Sequence, residues 1–356
     1  MHRLIRKNQG AGQMKIFVVG NGAFGTAFTG KMARQRHATY QWCSTHDYPH
    51  LKQMLELQRM PVKENKLYLP GVELSNSIQF TDSFEPAKIA DVVLLAQPTK
   101  FIWQSFYAVA GMIKENPKMT IALLSKGFDA GSRRALGAAL EDYLRSGFKF
   151  YRFAVISGPT FARDLIAPEK KHTISVASYN LGAIKKLKEM AQGTGLTLRG
   201  TTDLSGVSWG GGLKNAYTIG YGLLEKRLGK ELLFEYLLLS LQTEIKKFLE
   251  FAGARPETLW SPAVWEDYYM TARGDSRNRR FGQFLAEYHK PEEIKEHTRT
   301  NTVEGYEAMM ILWEIAQENG LDIPLLHCIH AICDSEHGAS PGTFVECFNR
   351  VKALSG

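Results

Sequence analysis

No stretch of this 356-residue chain approaches the roughly 18 consecutive apolar residues that a membrane-crossing helix needs, so no membrane span is expected. Cysteine is scarce: Cys43 stands alone, and Cys328, Cys333 and Cys347 fall late. That spacing makes no disulfide framework, and a reducing cytoplasmic setting is expected. The first 13 residues carry His2, Arg3, Arg6 and Lys7 without an apolar centre, so a disordered lead-in is expected there and no signal peptide. Repeats and low-complexity tracts are lacking too. The net charge of +8 is not gathered into a basic stripe with aromatic platforms, so no nucleic-acid partner is expected. Lys170-Lys171 and Lys185-Lys186-Lys188 read as solvated faces, while a positive potential also steers small anions inward.

What is present is ordinary globular composition, 44% hydrophobic and 22% charged, in a chain too long for one core. Its most telling stretch is Met14-Lys15-Ile16-Phe17-Val18-Val19 followed at once by Gly20-Asn21-Gly22-Ala23-Phe24-Gly25 and a helix-like segment to Ala33. Strand, G-x-G-x-x-G and helix in that order make a dinucleotide fingerprint. Gly20 permits the tight turn, Gly22 lets a pyrophosphate approach the backbone, and Gly25 lets helix pack on strand. The diphosphate would sit on the free N–H groups of the helix.

The choice of dinucleotide stays open. A second strand over Ala38–Cys43 should end at the adenosine ribose, where an acid would favour NAD. Ser44, Thr45 and His46 occupy that place, and Asp47 is the first acid. Hydroxyls, an imidazole and the upstream Arg34 and Arg36 could take a 2′-phosphate; equally, Ser44 and Thr45 could only cap a turn. NAD or NADP is expected, unresolved between the two.

Further apolar runs, Asp91–Ala96, Thr120–Leu124, Phe153–Ile156 and Thr173–Ala177, alternate with helical patterns and predict a parallel, doubly wound sheet. Gln97, Lys126 and Ser157 to Thr160 then fall at the carboxyl ends of strands, where such sheets bind ligands. Beyond about residue 205 the pattern becomes helical over 213–224, 231–251, 280–288, 303–318 and 324–333. Glu231–Phe251 has little polar face and should be buried or at a subunit contact. The expected fold is α/β: a Rossmann-type domain over 14–204 followed by an all-α substrate-binding domain over 205–356.

Seven short motifs occur in order: the N-terminal glycine turn, Leu69-Pro70-Gly71-Val72, Ser125-Lys126-Gly127, Ser157-Gly158-Pro159-Thr160-Phe161-Ala162, Gly210-Gly211-Gly212-Leu213-Lys214-Asn215, Ser276-Arg277-Asn278-Arg279-Arg280-Phe281-Gly282 and Val303-Glu304-Gly305. Together they resemble the NAD(P)-dependent glycerol-3-phosphate dehydrogenases over about residues 14 to 350. The resemblance implies reversible reduction of dihydroxyacetone phosphate to sn-glycerol 3-phosphate, a phosphorylated small-molecule substrate, and a homodimer. By position it implies that Lys214 is the catalytic lysine, with Lys126 and Asp267 beside it. Substrate contacts are implied for Lys126, Gly158, Thr160, Asn215, Thr271, Arg277 and Asn278. Dinucleotide contacts are implied for Gly20 to Gly25, Phe101, Lys126, Ala162, Arg277 and Glu304, with Ser44 added from the strand end.

These residue types suit the chemistry. A ketone reduced by hydride needs its developing alkoxide stabilised and protonated, and a buried lysine near another cation and an acid can do both. Arg277 offers a planar fork for phosphate oxygens, and Asn278 can donate beside it. One segment departs from the family: Val264-Trp265-Glu266 and Tyr268-Tyr269 flank Asp267 where relatives keep glycines. Those aromatics could reshape the substrate pocket or only its supporting loop. A reductase of another phosphorylated or acidic ketone, and a non-catalytic redox sensor, are therefore the competing readings. His327, Cys328, His330, Cys333 and His337 read as ordinary core and surface residues, and no metal is expected.

Overall fold

The computed structural model describes residues 13–355 apart from 36, 45–47, 58–59, 61–62, 288 and 335–339. The expected lead-in, Arg36, Thr45, His46, Asp47, Tyr288 and His337 thus lie outside the described residues, save Gln13. Contacts divide the chain into two compact units. One runs through Ser125 and takes in Leu144–Ile156 and Thr160–Thr202; the other holds Lys126–Tyr143, Ser157–Pro159 and the chain from Asp203 on.

The first unit is built on an eight-stranded sheet. Its strands are β1 (Lys15–Val19), β2 (Ala38–Trp42), β3 (Gln79–Thr81), β4 (Val92–Leu95), β5 (Thr120–Leu123), β6 (Phe153–Ser157), β7 (His172–Ala177) and β8 (Leu196–Thr201). Their spatial order is β8-β7-β6-β5-β4-β1-β2-β3. Pairing is parallel for β1 with β2 and β4, β2 with β3, β4 with β5, β5 with β6, and β7 with β8. Strands β1, β4, β5 and β6 are the continuous apolar runs and are buried nearly throughout, as strands covered on both faces must be. The edges are less visible in sequence: β3 has three residues, and β8 alternates buried and exposed positions before its end.

From β1 the chain builds outward through β2 to β3, then returns to lay β4 on the other flank of β1. Such a reversal opens a crevice at the carboxyl ends of the two central strands. Helix α1 (Ala23–Ala33) leaves directly from the end of β1. Helices α2 (Ile102–Gly111) and α3 (Leu181–Ala191) follow, the latter capped by the Asn180 side chain on the Ala183 N–H.

The second unit is helical and centred on α4 (Leu204–Leu228), which begins well before the helical pattern expected from Leu213. Asp203 caps it through the Gly206 N–H, and Gly229, at φ 78°, ends it. Residues Gly206 to Leu224 are buried without interruption, so α4 shows no amphipathic stripe and its start is hard to see in sequence. Around it lie α5 (Leu233–Ser240), α6 (Lys246–Phe251), α7 (Asp267–Arg273), α8 (Arg277–Leu285), α9 (Pro291–Thr300), α10 (Glu304–Asn319), α11 (Pro324–Cys333) and α12 (Pro341–Ser355). The expected helix over 231–251 is one run interrupted by a π-helical turn, Leu241–Ile245. That turn holds the fully buried Glu244, whose carboxylate accepts from the Leu325 and Leu326 N–H groups at the start of α11 and from the Tyr217 hydroxyl.

Helices α4 and α8 meet backbone to backbone. A Cβ added to Gly282 would stand 1.9 Å from the Ile219 carbonyl oxygen, and one on Gly222 would stand 2.0 Å from that of Arg279. Gly111, at the helical end of α2, has open space where a Cβ would go. Gly282→Ala should therefore destabilise the protein by about 1–3 kcal/mol or more through overpacking. Gly111→Ala should stabilise it by up to about 1 kcal/mol through helix propensity. Denaturant unfolding of both variants checks the contrast, and equal effects would contradict the packing described.

Candidate functional site

In the first unit the glycine turn is shaped as a cradle. Gly20 has φ 130°, and a Cβ there would lie 2.8 Å from the Ala96 carbonyl oxygen. A Cβ on Gly25 would lie 2.4 Å from the Gly20 carbonyl oxygen, so only glycine lets α1 come this close to β1. Gly22, the N-cap of α1, has nothing within 4 Å of its Cβ position. Backbone N–H groups at the head of an 11-residue helix with no acid in its first turn face an anion site. The residues present fit a dinucleotide diphosphate.

Three buried side chains hold this turn in shape. Asn65 Nδ2 donates to the Asn21 carbonyl and to Thr26 Oγ1, both at 2.9 Å. Gln41 Nε2, from β2, donates to the Gly20 carbonyl at 3.1 Å and to Thr26 Oγ1 at 3.0 Å. Thr26 Oγ1 in turn donates to the Asn21 carbonyl at 3.3 Å. Gln41 and Asn65 carry no motif signal, since their contacts are made across the fold. Ser44 follows the end of β2 and is half-buried. Arg34 donates to the Ile166 carbonyl. Phe24 packs beside Phe28, the Phe101 ring is exposed under the Lys100 ammonium, and Ala162 starts a short helix.

The second unit gathers Lys126, Lys214 and Asp267. Helix α4 carries Lys214 in its buried middle, at 6% exposure, and α7 opens with Asp267, at 0%. Lys126 Nζ meets Asp267 Oδ2 at 2.6 Å, and Lys214 Nζ meets Oδ1 at 3.3 Å. One carboxylate thus serves two ammonium groups. Lys214 also donates to Thr271 Oγ1 at 2.8 Å, and Thr271, one turn beyond Asp267, donates to Oδ1 at 3.3 Å. The Gly158 carbonyl accepts from Lys126 Nζ at 3.0 Å. Gly211 lets these segments lie on α4: a Cβ there would stand 3.1 Å from Ser157 Oγ and 3.3 Å from Lys126 Cβ.

Burial draws the Lys214 ammonium from its ordinary value down to about 8; Asp267 opposes the drop, Lys126 deepens it, and Glu304 raises it slightly. Glu304 opens α10, half-buried. Asn278 Nδ2 donates to Asn215 Oδ1 and its Oδ1 accepts from the Gly305 N–H, both at 2.9 Å, so the pair ties α4, α8 and α10 together. Arg277, the first residue of α8, is exposed, and Ser276 caps that helix on the Arg279 N–H. Thr160 is half-buried and belongs to the first unit.

The aromatics around Asp267 have contacts of their own. A π-helical turn, Pro262–Glu266, leads into α7. Tyr268 is fully buried and hydrogen-bonded to Ser240 at 2.9 Å. Trp265 packs against Phe234, Trp260 and Tyr269, and Arg273 lies over the Tyr269 ring. Among the described residues no group of His, Cys, Asp and Glu is placed to hold a metal ion, and His327 and His330 both stack on Trp313. Nor is any helix of the described residues long and apolar enough to cross a membrane.

Comparison with known proteins matches two family models. NAD-dependent glycerol-3-phosphate dehydrogenase N-terminus matches residues 15–183, and NAD-dependent glycerol-3-phosphate dehydrogenase C-terminus matches residues 203–345. A glycerol-3-phosphate dehydrogenase [NAD(P)+] of Legionella pneumophila (strain Paris) is 31% identical over 323 residues, 89% of this chain and 92% of that one. The protein of the same name from Geobacter metallireducens is 28% identical over 325 residues, 89% and 92% of the two chains. The crystal structure of glycerol-3-phosphate dehydrogenase from Coxiella burnetii shares the fold with a TM-score of 0.81 at 24% identity, covering 96% of this chain and 98% of that one.

The opposing effects on Lys214 can be separated by titrating it with ¹³C-dimethyl-lysine NMR. The wild-type signal should titrate at about 8. Lys126→Met should raise that value and Asp267→Asn should lower it. Shifts of the same sign in the two variants would contradict the shared-carboxylate arrangement.

Proposed function

This chain belongs to the NAD-dependent glycerol-3-phosphate dehydrogenase family, and from that premise we propose that it interconverts dihydroxyacetone phosphate and sn-glycerol 3-phosphate using NAD or NADP. The observation that carries the reading is buried Lys214 sharing the Asp267 carboxylate with a second lysine, Lys126, a setting that draws its ammonium down to about 8. The reduced dinucleotide supplies the hydride. Lys214 Nζ, charged below about 8, stabilises the oxygen as negative charge develops and gives it a proton; in the reverse direction the neutral amine takes that proton. Lys126 contributes a second positive charge, and Asp267 with Thr271 fixes Lys214 Nζ in place. Arg277, exposed at the head of α8, is suited to hold the substrate phosphate as a charged fork, with Asn215 and Asn278 supporting that end from α4 and α8.

Gly158 and Thr160 complete the substrate contacts, and Ala23, Phe24, Phe101, Lys126, Ala162, Arg277 and Glu304 those to the dinucleotide, on the family resemblance; Gly20 to Gly25 join them as the glycine motif and Ser44 as the residue after the second strand. The same resemblance supports the division at about residue 204 into dinucleotide-binding and substrate-binding parts, and a homodimer. Four cysteines, all free, support work in a reducing cytoplasm. The placing of Trp265, Tyr268 and Tyr269 supports the supporting-loop reading of the departure around Asp267, and so the family substrate.

Oxidation of NADH and of NADPH, with and without dihydroxyacetone phosphate, tests the reaction and assigns the cofactor by the ratio of rates. Lys214→Ala should lower kcat by about 10²–10⁴-fold while dinucleotide affinity is unchanged. Near-normal turnover in that variant would reject Lys214 as the acid. Arg277→Ala should raise KM for the phosphorylated substrate about ten-fold or more, the loss of a charge-assisted contact. Ketone reduction should fall as pH rises through about 8, because Lys214 must carry the proton it gives, and alcohol oxidation should rise over the same interval. A reduction rate flat across that interval would argue for another proton donor.

A further inference from the structure

Gln97 stands just beyond the end of β4, and it is 8% exposed. Its Oε1 has no hydrogen-bond partner among the described residues, nor has that of Gln41 on the β2 side of the same turn. A buried polar atom left without a donor is rare enough to ask what group satisfies it. The position is specific: a Cβ on Gly20 would lie 3.2 Å from Gln97 Cγ, so this side chain rests on the start of the glycine turn. Strands β1 and β4 pair where the strand order reverses, at the crevice in which doubly wound sheets take their ligands. The main chain of Gln97 is itself held, its carbonyl accepting from Ser125 Oγ.

The missing group must bring an N–H or O–H. That excludes the diphosphate, whose oxygens only accept. The end of β2 is where the adenosine ribose is read in such sheets. Gln97 is on the opposite flank of β1, beside β4. What remains is the nicotinamide half of the dinucleotide, which carries ribose hydroxyls and a carboxamide N–H. Oε1 is covered by the surrounding protein, and the broad, roughly two-fold terminal torsion of glutamine lets the amide turn to present it. We propose that Gln97 is a positioning residue for the cofactor, its side-chain oxygen accepting a hydrogen bond from the nicotinamide ribose or carboxamide. The proposal rests on the reading of the chain as an NAD(P)-binding protein.

Gln97→Leu keeps the bulk and removes the oxygen, and Gln97→Met serves as a second, unbranched variant. Titration calorimetry would use the dinucleotide that the wild type prefers, NADH or NADPH, and in parallel its adenosine fragment, ADP or 2′,5′-ADP. The dissociation constant for the whole dinucleotide should rise about five- to ten-fold, one neutral hydrogen bond, while that of the adenosine fragment stays the same. The ligand-free variants should also melt at a higher temperature than the wild type, because an unsatisfied buried oxygen has been removed. Equal weakening of dinucleotide and fragment, or unchanged dinucleotide affinity, would overturn the assignment while leaving the dinucleotide reading intact. A wild type that binds neither dinucleotide nor fragment would defeat that reading and the proposal with it.

Discussion

Two ammonium groups on one buried carboxylate is the arrangement on which the rest of the second unit depends. Asp267 alone in this interior would be an expensive anion, and Lys126 and Lys214 without it would be two cations repelling each other. Together the three groups carry one net positive charge, and the remaining lone pairs and protons are taken up by Thr271 and the Gly158 carbonyl. Breaking such a set by removing one member leaves an uncompensated charge, which is why its geometry is held from several sides. The residual cost of burying Lys214 is not wasted. It appears as a proton affinity near neutral pH, where an amine can both give and take a proton.

That arrangement explains features of the scaffold that would otherwise be liabilities. Helix α4 carries Gly210, Gly211 and Gly212 in its interior, each unfavourable for helix formation. Cβ atoms at these three positions would meet Val264, the Ser157 and Lys126 side chains, and Phe128. The glycines thus let the segments bearing Lys126 and Asp267 pack directly on the helix bearing Lys214. The π-helical turn before Asp267 supplies the entry to α7, and its aromatic Trp265 packs with Trp260, Phe234 and Tyr269. Bulky residues around Asp267 therefore form a bracket of rings for the loop that delivers the carboxylate.

The glycine turn of the first unit follows the same logic with neutral groups. Its conformation needs Gly20 and Gly25, but its carbonyls are fixed by Gln41, Asn65 and Thr26. A loop whose N–H groups must point at an anion gains by having its C=O groups tied elsewhere, since preorganised donors need no rearrangement on binding. Gln41 and Gln97 are the buried amides of this region whose oxygens are left over, and Gln97 is the one beside β4.

The amino-acid sequence by itself determined the local architecture. The strand–turn–helix at Gly20 to Gly25 is legible because steric demands within a few residues leave only glycine, and β1, β4, β5 and β6 are legible because strands covered on both faces are apolar throughout. Motif order identified the family, and with it the expectation that Lys126 and Asp267 lie beside Lys214. Tertiary structure alone decided the rest. The three-residue β3, the alternating edge β8 and the early start of α4 lack a periodic signal. Asn65 reaches the glycine turn from 44 residues away, and Gln41 from 21. Such contacts are set by packing over long loops, and residue type carries no record of which distant group a side chain will meet.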